Sequence, residues 1–288
     1  MKIPGLCLAL LLLALPVLGA DRGVFFEVRG PQGSVWLLGS LHAATADFYP
    51  LNPAINAAFH SAQKLVVEVD MDRIDPQTLQ QWLQANALYP AGHSLRNALS
   101  PATATALDQA CLRDRLPCEQ LMKQRPGLFV MSLVSTRMAQ LGYDPQLGID
   151  QHFVQRARDT KPIVDLEDWR DQLGLLLEFS DADLLVQQLL EQLDDADDFL
   201  RDTSAAWRAG DLERLHQLLI EDELTAHPEL AGFYERLYHV RNRQMAQRIV
   251  EMMARNETLF VVVGAAHLVG ETGIPRLLTE RGFDVEQR

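Results

Sequence analysis

Short β-rich apolar runs near both ends of the chain, with a long helical stretch between them, constrain the fold more than any other feature. Residues 24–29 (VFFEVR) and 34–38 (SVWLL) flank a Gly-Pro-Gln-Gly turn and read as a hairpin. A third run, 65–70 (LVVEVD), ends in acid residues, and a fourth, 259–263 (LFVVV), lies near the C-terminus. Strands this apolar need cover on both faces. Helices must supply it. A short one opens at Asn52-Pro53, several follow over about 76–141, and a highly charged set occupies 170–254, with breaks near Gly210 and Pro228. Residues 161–166 (KPIVDL) read as a short strand inside the helical region. A last helix near Gly273-Ile274-Pro275 precedes a closing strand at 283–285. The expectation is an α/β fold: a central mixed sheet built from strands near both chain ends, covered by helices, with a helical middle region over about 76–254. No short-period repeat and no Gly/Ser-rich linker divides the chain, so residues 21–288 are expected to form one domain.

The N-terminus reads as a secretory signal. Lys2 is followed by a Leu- and Ala-rich run over 6–15, then by Pro16 and a small-residue exit at Gly19-Ala20. Residues 1–20 are thus expected to be a signal peptide, with Asp21 left at the mature N-terminus and the protein periplasmic or secreted. The apolar run is shorter than the ~20 residues a spanning helix needs, although an uncleaved anchor is the alternative. No other stretch reads as a membrane span. Cys7 leaves with the signal. Cys111 and Cys118 remain, and in an oxidising compartment they read as one disulfide, two buried thiols being the alternative. The net charge of −13 argues against nucleic acid and anionic lipid as partners. The acidic run at 194–198 reads as a solvated helix start, with a cation site as the second reading.

The chemistry concentrates at the strand ends. Trp36-Leu37-Leu38 leads into Gly39-Ser40-Leu41-His42, and Val261-Val262-Val263 leads into Gly264-Ala265-Ala266-His267. A bare G-x-x-H is a weak pattern. Its repetition just past the carboxyl end of two buried strands is stronger, because open α/β sheets bind ligands there. Glu68, between Val67 and Val69, is a carboxylate in apolar surroundings, costly unless paired or ligated. Asp70 is expected on the same face. Two imidazoles and a carboxylate form a set for a divalent ion of the Zn, Mn or Co type, and they also suit a metal-free acid/base site. The plainer alternative is strand-end side chains satisfied by the backbone. Asp150 reads as a helix cap beside His152, Glu167 as a strand-end residue behind the site, and Trp36, Trp82, Trp169 and Trp207 as core.

The blocks VWLLGSLHAA, KLVVEVD and TLFVVVGAAHLVGETGIPRLLTERGFDV resemble the TraB/GumN family, whose animal relatives include Tiki-like, metal-dependent peptidases. Leu147 to Asp150, the 161–167 stretch and Arg241-Asn242 fit the same order. The resemblance implies a sheet-centred α/β fold and a site in which His42, His267 and Glu68 bind the ion, with Glu68 as ligand or base. It also places Arg241 and Asn242 in the family's polar motif, Arg241 being suited to stabilise an oxyanion. The function it implies is an exported metal-dependent hydrolase, peptidase-like, acting on a peptide or small-molecule substrate. A metal-independent, esterase-like hydrolase and a non-catalytic protein that holds a metal, haem or other ligand are the alternatives.

Overall fold

A computed structural model describes residues 21–31, 33–179 and 181–288, so the expected signal peptide lies outside the described residues. Among these, six strands form one mixed sheet: β1 (Phe25–Gly30), β2 (Gly33–Ser40), β3 (Lys64–Val67), β4 (Ile163–Asp165), β5 (Thr258–Gly264) and β6 (Asp284–Gln287). Their order across the sheet is β4-β3-β5-β2-β1-β6. The hairpin expected at the N-terminus is present, with Phe25 opposite Leu38 and Gly30 opposite Gly33. β2, β5, β3 and β4 run parallel, while β6 closes the outer edge antiparallel to β1.

The connection from β3 to β4 holds α1's successors, the helix α1 (Pro53–Ser61) itself lying between β2 and β3. They are α2 (Pro76–Asn86), α3 (Pro101–Arg113), α4 (Cys118–Leu121), α5 (Pro126–Gln140) and α6 (Ile149–Ala157). Their starts follow from the sequence: Asn52, Asp75 and Ser100 each turn a side-chain oxygen onto the first turn, and a proline follows where no N–H is needed. From β4 to β5 run α7 (Trp169–Leu177), α8 (Ala182–Asp194), α9 (Ala196–Ala209), α10 (Leu212–His216), α11 (Asp222–Ala226), α12 (Ala231–Tyr234) and α13 (Arg241–Met253). Two π-helical turns, Gln217–Glu221 and Glu235–Val240, interrupt this series. The acidic run is the exposed start of α9. The last helix, α14 (Ile274–Glu280), leads into β6.

Two separate apolar clusters result. One surrounds the sheet, with Leu37, Leu38, Leu65, Val66, Phe260 and Val261 fully buried between helical layers. The second is made by helices alone and joins Leu107, Phe129, Leu133, Val186 and Leu189 of α3, α5 and α8. Cys111 and Cys118 form the expected disulfide at the edge of this second cluster, with a Cα separation of 6.1 Å that suits the bond. Trp207 is buried and donates to the Gly39 carbonyl, and Trp36 stacks on Phe25. Trp82 and Trp169 depart from the core expectation: they meet edge to face and stay partly exposed. Among the described residues no helix is long and apolar enough to cross a membrane.

Candidate functional site

Because β2, β5 and β3 are parallel neighbours, their carboxyl ends lie on one edge of the sheet, and the register is close: Ser40 pairs with Gly264, and Val67 with Val262. His42 follows β2, Glu68 follows β3, and His267 sits in the single 3-10 turn after β5. The third strand is shorter than the sequence implies. It ends at Val67, and the chain then bends, so the two-residue alternation no longer holds for Glu68 and Asp70. Asp70 is turned away from the site and is clasped by both terminal nitrogens of Arg158, at 2.7 and 2.8 Å.

Glu68 is buried and fully engaged. Its Oε1 accepts from the Gly264 N–H at 2.6 Å, and its Oε2 accepts from Arg241 Nη2 at 2.7 Å and Gln172 Nε2 at 2.9 Å. Burial alone would push this carboxyl up. The imidazoles, Arg241 and the Gly264 N–H outweigh burial and hold it at about 2. Arg241 is equally committed. Besides Glu68 it donates to Glu167 from Nε and Nη2 and to the Leu237 carbonyl from Nη1. Its guanidinium is therefore a brace between the Glu68 and Glu167 carboxylates rather than a free donor.

The two imidazoles are anchored in the same way from opposite sides. His267 Nδ1 lies 2.5 Å from Asn242 Oδ1, while the amide nitrogen of Asn242 donates to the Thr272 carbonyl. That second bond fixes the amide orientation, so Nδ1 must carry the proton and Nε2 keeps a lone pair. Nε2 lies 3.7 Å from Glu68 Oε1. Burial, the largest influence, keeps this imidazole neutral, with its pKa lowered to about 4. With His267 neutral at pH 7, Arg241 is the charge that balances Glu68. His42 Nδ1 meets Asp150 Oδ2 at 3.1 Å. Asp150 is the chief cause of an upward shift of His42, to about 9. The His42 side chain is 66% exposed, and water screens that pull.

Gly264 marks the point where the three side chains converge. A Cβ added there would lie 3.4 Å from both Glu68 Oε1 and His42 Nε2 and 3.6 Å from His267 Cδ2. The glycine thus leaves open the space that the donors face. Among the described residues no group of three or more His, Cys, Asp or Glu side chains stands at metal-holding spacing. The structure therefore brings His42, Glu68 and His267 together, with Arg241 and Asn242 behind them, without closing them into a ready-made cage.

Three further residues belong to the same constellation. Asp150 is not the cap of α6, whose N-cap residue is Gly148; its Oδ2 meets His42 instead. Glu167 shares Arg241. Gln172, from α7, reaches Glu68 across the sheet edge, and nothing in its sequence surroundings sets it apart from the other glutamines. Asp150 carried a signal in its place beside a Gly-Ile helix start, but capping explained that signal equally well. His152 lies outside the site, its ring packed at a tilt against that of Tyr49 with centroids 4.6 Å apart.

The family model described as TraB/PrgY/gumN matches residues 24–287. A protein of Escherichia coli K12, "Uncharacterized protein YbaP", is 26% identical over 84% of this chain and 86% of its own length. A Treponema pallidum protein is 23% identical over 93% of this chain and 84% of its own. A "Metalloprotease TIKI homolog" of the sponge Amphimedon queenslandica is 30% identical over a short stretch, 27% of this chain and 13% of that protein. No solved structure matches.

Proposed function

The chain belongs to the TraB/PrgY/gumN family, and from that premise we propose that it is an exported, metal-dependent hydrolase of peptidase type whose reaction centre is His42, Glu68 and His267. One observation carries the reading. Both imidazoles are held through Nδ1, by Asp150 and by Asn242, which leaves each Nε2 for the space beside Glu68 Oε1 and Gly264. Histidine ligands held through the other ring nitrogen are the usual arrangement around a metal. Glu68 and Glu167 share the Arg241 guanidinium, while Asp150 pairs with His42. The donor chemistry fits a divalent ion of the Zn, Mn or Co type. His42 is the exposed member, on the loop after β2.

A carboxylate held at about 2 is a poor base, so Glu68 serves as a donor to the ion. Arg241 and Gln172 fix the Glu68 carboxylate, and Asn242 fixes the tautomer of His267. When bound, the ion would polarise a substrate carbonyl and make water nucleophilic near neutral pH. Export is supported by the signal-like N-terminus and by a disulfide suited to an oxidising compartment.

The test is digestion of a peptide library by gently purified protein, with and without chelator, alongside metal analysis. Cleavage that chelator removes and metal restores is expected, with His42→Ala and His267→Ala folded but inactive. Cleavage indifferent to chelator would replace this reading with the metal-independent one. Bound metal or haem without cleavage would replace it with a binding protein.

A further inference from the structure

Between the two apolar clusters lies a cavity of about 400 Å³ that none of the site residues lines. Its walls come from both clusters, Leu189 of α8 from the helical one and Leu219 of the first π turn and Tyr234 at the end of α12 from the sheet one, with Phe199 of α9 beside them. Cavities between packed units are favoured ligand sites. Phe199 is one of few large apolar side chains left substantially exposed. π-helical turns recur at functional sites, and here one supplies Leu219 while the other begins directly after Tyr234.

Packed aromatic rings set the distance between the cavity and the reaction centre. The Tyr234 ring lies 5.4 Å from that of Tyr238, and the Tyr238 ring lies 5.5 Å from that of His267. An extended chain advances about 3.3–3.6 Å per residue, so two such ring steps correspond to about three residues of a bound peptide. The rim carries Glu191, Asp195, Asp222 and Glu223 against Arg137 and His227. Arg137 and Gln188, both lining residues, each keep one buried nitrogen without a hydrogen-bond partner among the described residues. An occupant bringing carbonyl oxygens can relieve that cost, whereas a plain hydrocarbon cannot.

We propose that this cavity is the specificity pocket of the hydrolase: it takes a large apolar or aromatic side chain of a peptide, about three residues from the bond to be cleaved, with a Lys or Arg next to it meeting the acidic rim. The inference rests on the hydrolase reading for its role and on the cavity's own chemistry for its occupant.

The probes are labelled glycine-serine peptides carrying one Phe-Lys pair, with Ser-Ser and Phe-Glu controls. Binding is read by fluorescence polarisation on the otherwise intact His267→Ala protein, and cleavage is read on the wild type. Phe-Lys should bind and be cleaved roughly tenfold or more better than either control. Leu219→Trp, which fills the cavity, should erase the advantage while leaving cleavage of a peptide too short to reach it unchanged. Glu191→Lys with Asp222→Lys, on the exposed rim, should turn the preference from Phe-Lys to Phe-Glu and serves where the Trp variant does not fold. Binding that depends on the cavity, without cleavage by the wild type, would uphold the pocket and remove the hydrolase. Cleavage or binding indifferent to the pair and to both variants, or no binding at all, would overturn the pocket.

Discussion

At the scale of single residues, Gly264 states the requirement of the site most sharply. An added methyl would meet Glu68 Oε1, His42 Nε2 and His267 Cδ2 at ordinary van der Waals distances, so the fold should accept it. The same methyl would fill the space the three donors share. Gly264→Ala is therefore expected to keep a native melting transition yet lose activity and metal affinity on the order of a hundredfold, a loss typical of small misplacements in a reaction centre. Calorimetric metal titration beside thermal unfolding checks it; a fully active variant would show that the space is not used. His152 makes a separate prediction. Burial, reinforced by Arg156, lowers its pKa from 6.5 to about 4, and Arg156 Nη1 lies 3.3 Å from its Nε2. Between those values the unfolded chain binds a proton that the folded chain refuses, so stability should fall as pH drops from about 6.5 toward 4 and gain no further loss from this residue below that. His152→Phe should flatten the pH dependence of the urea midpoint in that window; parallel curves would refute it. His42, Glu68 and His267 were legible in the sequence because a glycine or an apolar strand announces each. Asp150 was not, since an acid at a helix start has a simpler explanation, and Asp70 was misplaced because alternation was extended past the end of its strand.

Among the elements, α7 combines weak burial with a direct contact to the site. None of its residues is fully buried, yet Gln172 on it holds Glu68. Its support is α5, where a Cβ on Gly127 would run into the Leu176 carbonyl oxygen. Gly127→Ala should therefore displace α7, cost about 1–3 kcal/mol, and weaken turnover through Gln172 although it lies in another helix. Urea unfolding and kcat measured on the same preparation decide this; a loss of stability with turnover intact would separate α7 from the site. The strands and most helices could be read from apolar runs, capping residues and prolines. The placing of α7 could not, because its half-apolar face has no period that names its neighbour, and the close approach at Gly127, the Trp82–Trp169 contact and the Gln172 bond to Glu68 fix where it lies.

For the molecule as a whole, the decisive feature is that the site and the disulfide belong to different apolar clusters. His42, Glu68 and His267 hang from strands of the sheet cluster, whose parallel pairs join residues from both ends of the chain. Cys118 is a member of the helical cluster, and Cys111 packs against it. The bridge spans a sequence separation of only 7, so loop closure stabilises that cluster by at most ~2–3 kcal/mol. Its effect should also be local, because stability is distributed in cooperative units rather than evenly. Replacing both cysteines by serine should then speed amide exchange in α3, α5 and α8 while leaving β2, β3 and β5 near their original protection. The specificity pocket, walled on one side by α8, should loosen with them, and the affinity for the Phe-Lys peptide should fall more than the affinity for metal. Uniformly faster exchange across the sheet and the helices would show instead that the two clusters unfold as one unit, and the partition between a sheet that carries the reaction and helices that choose the substrate would have to be abandoned.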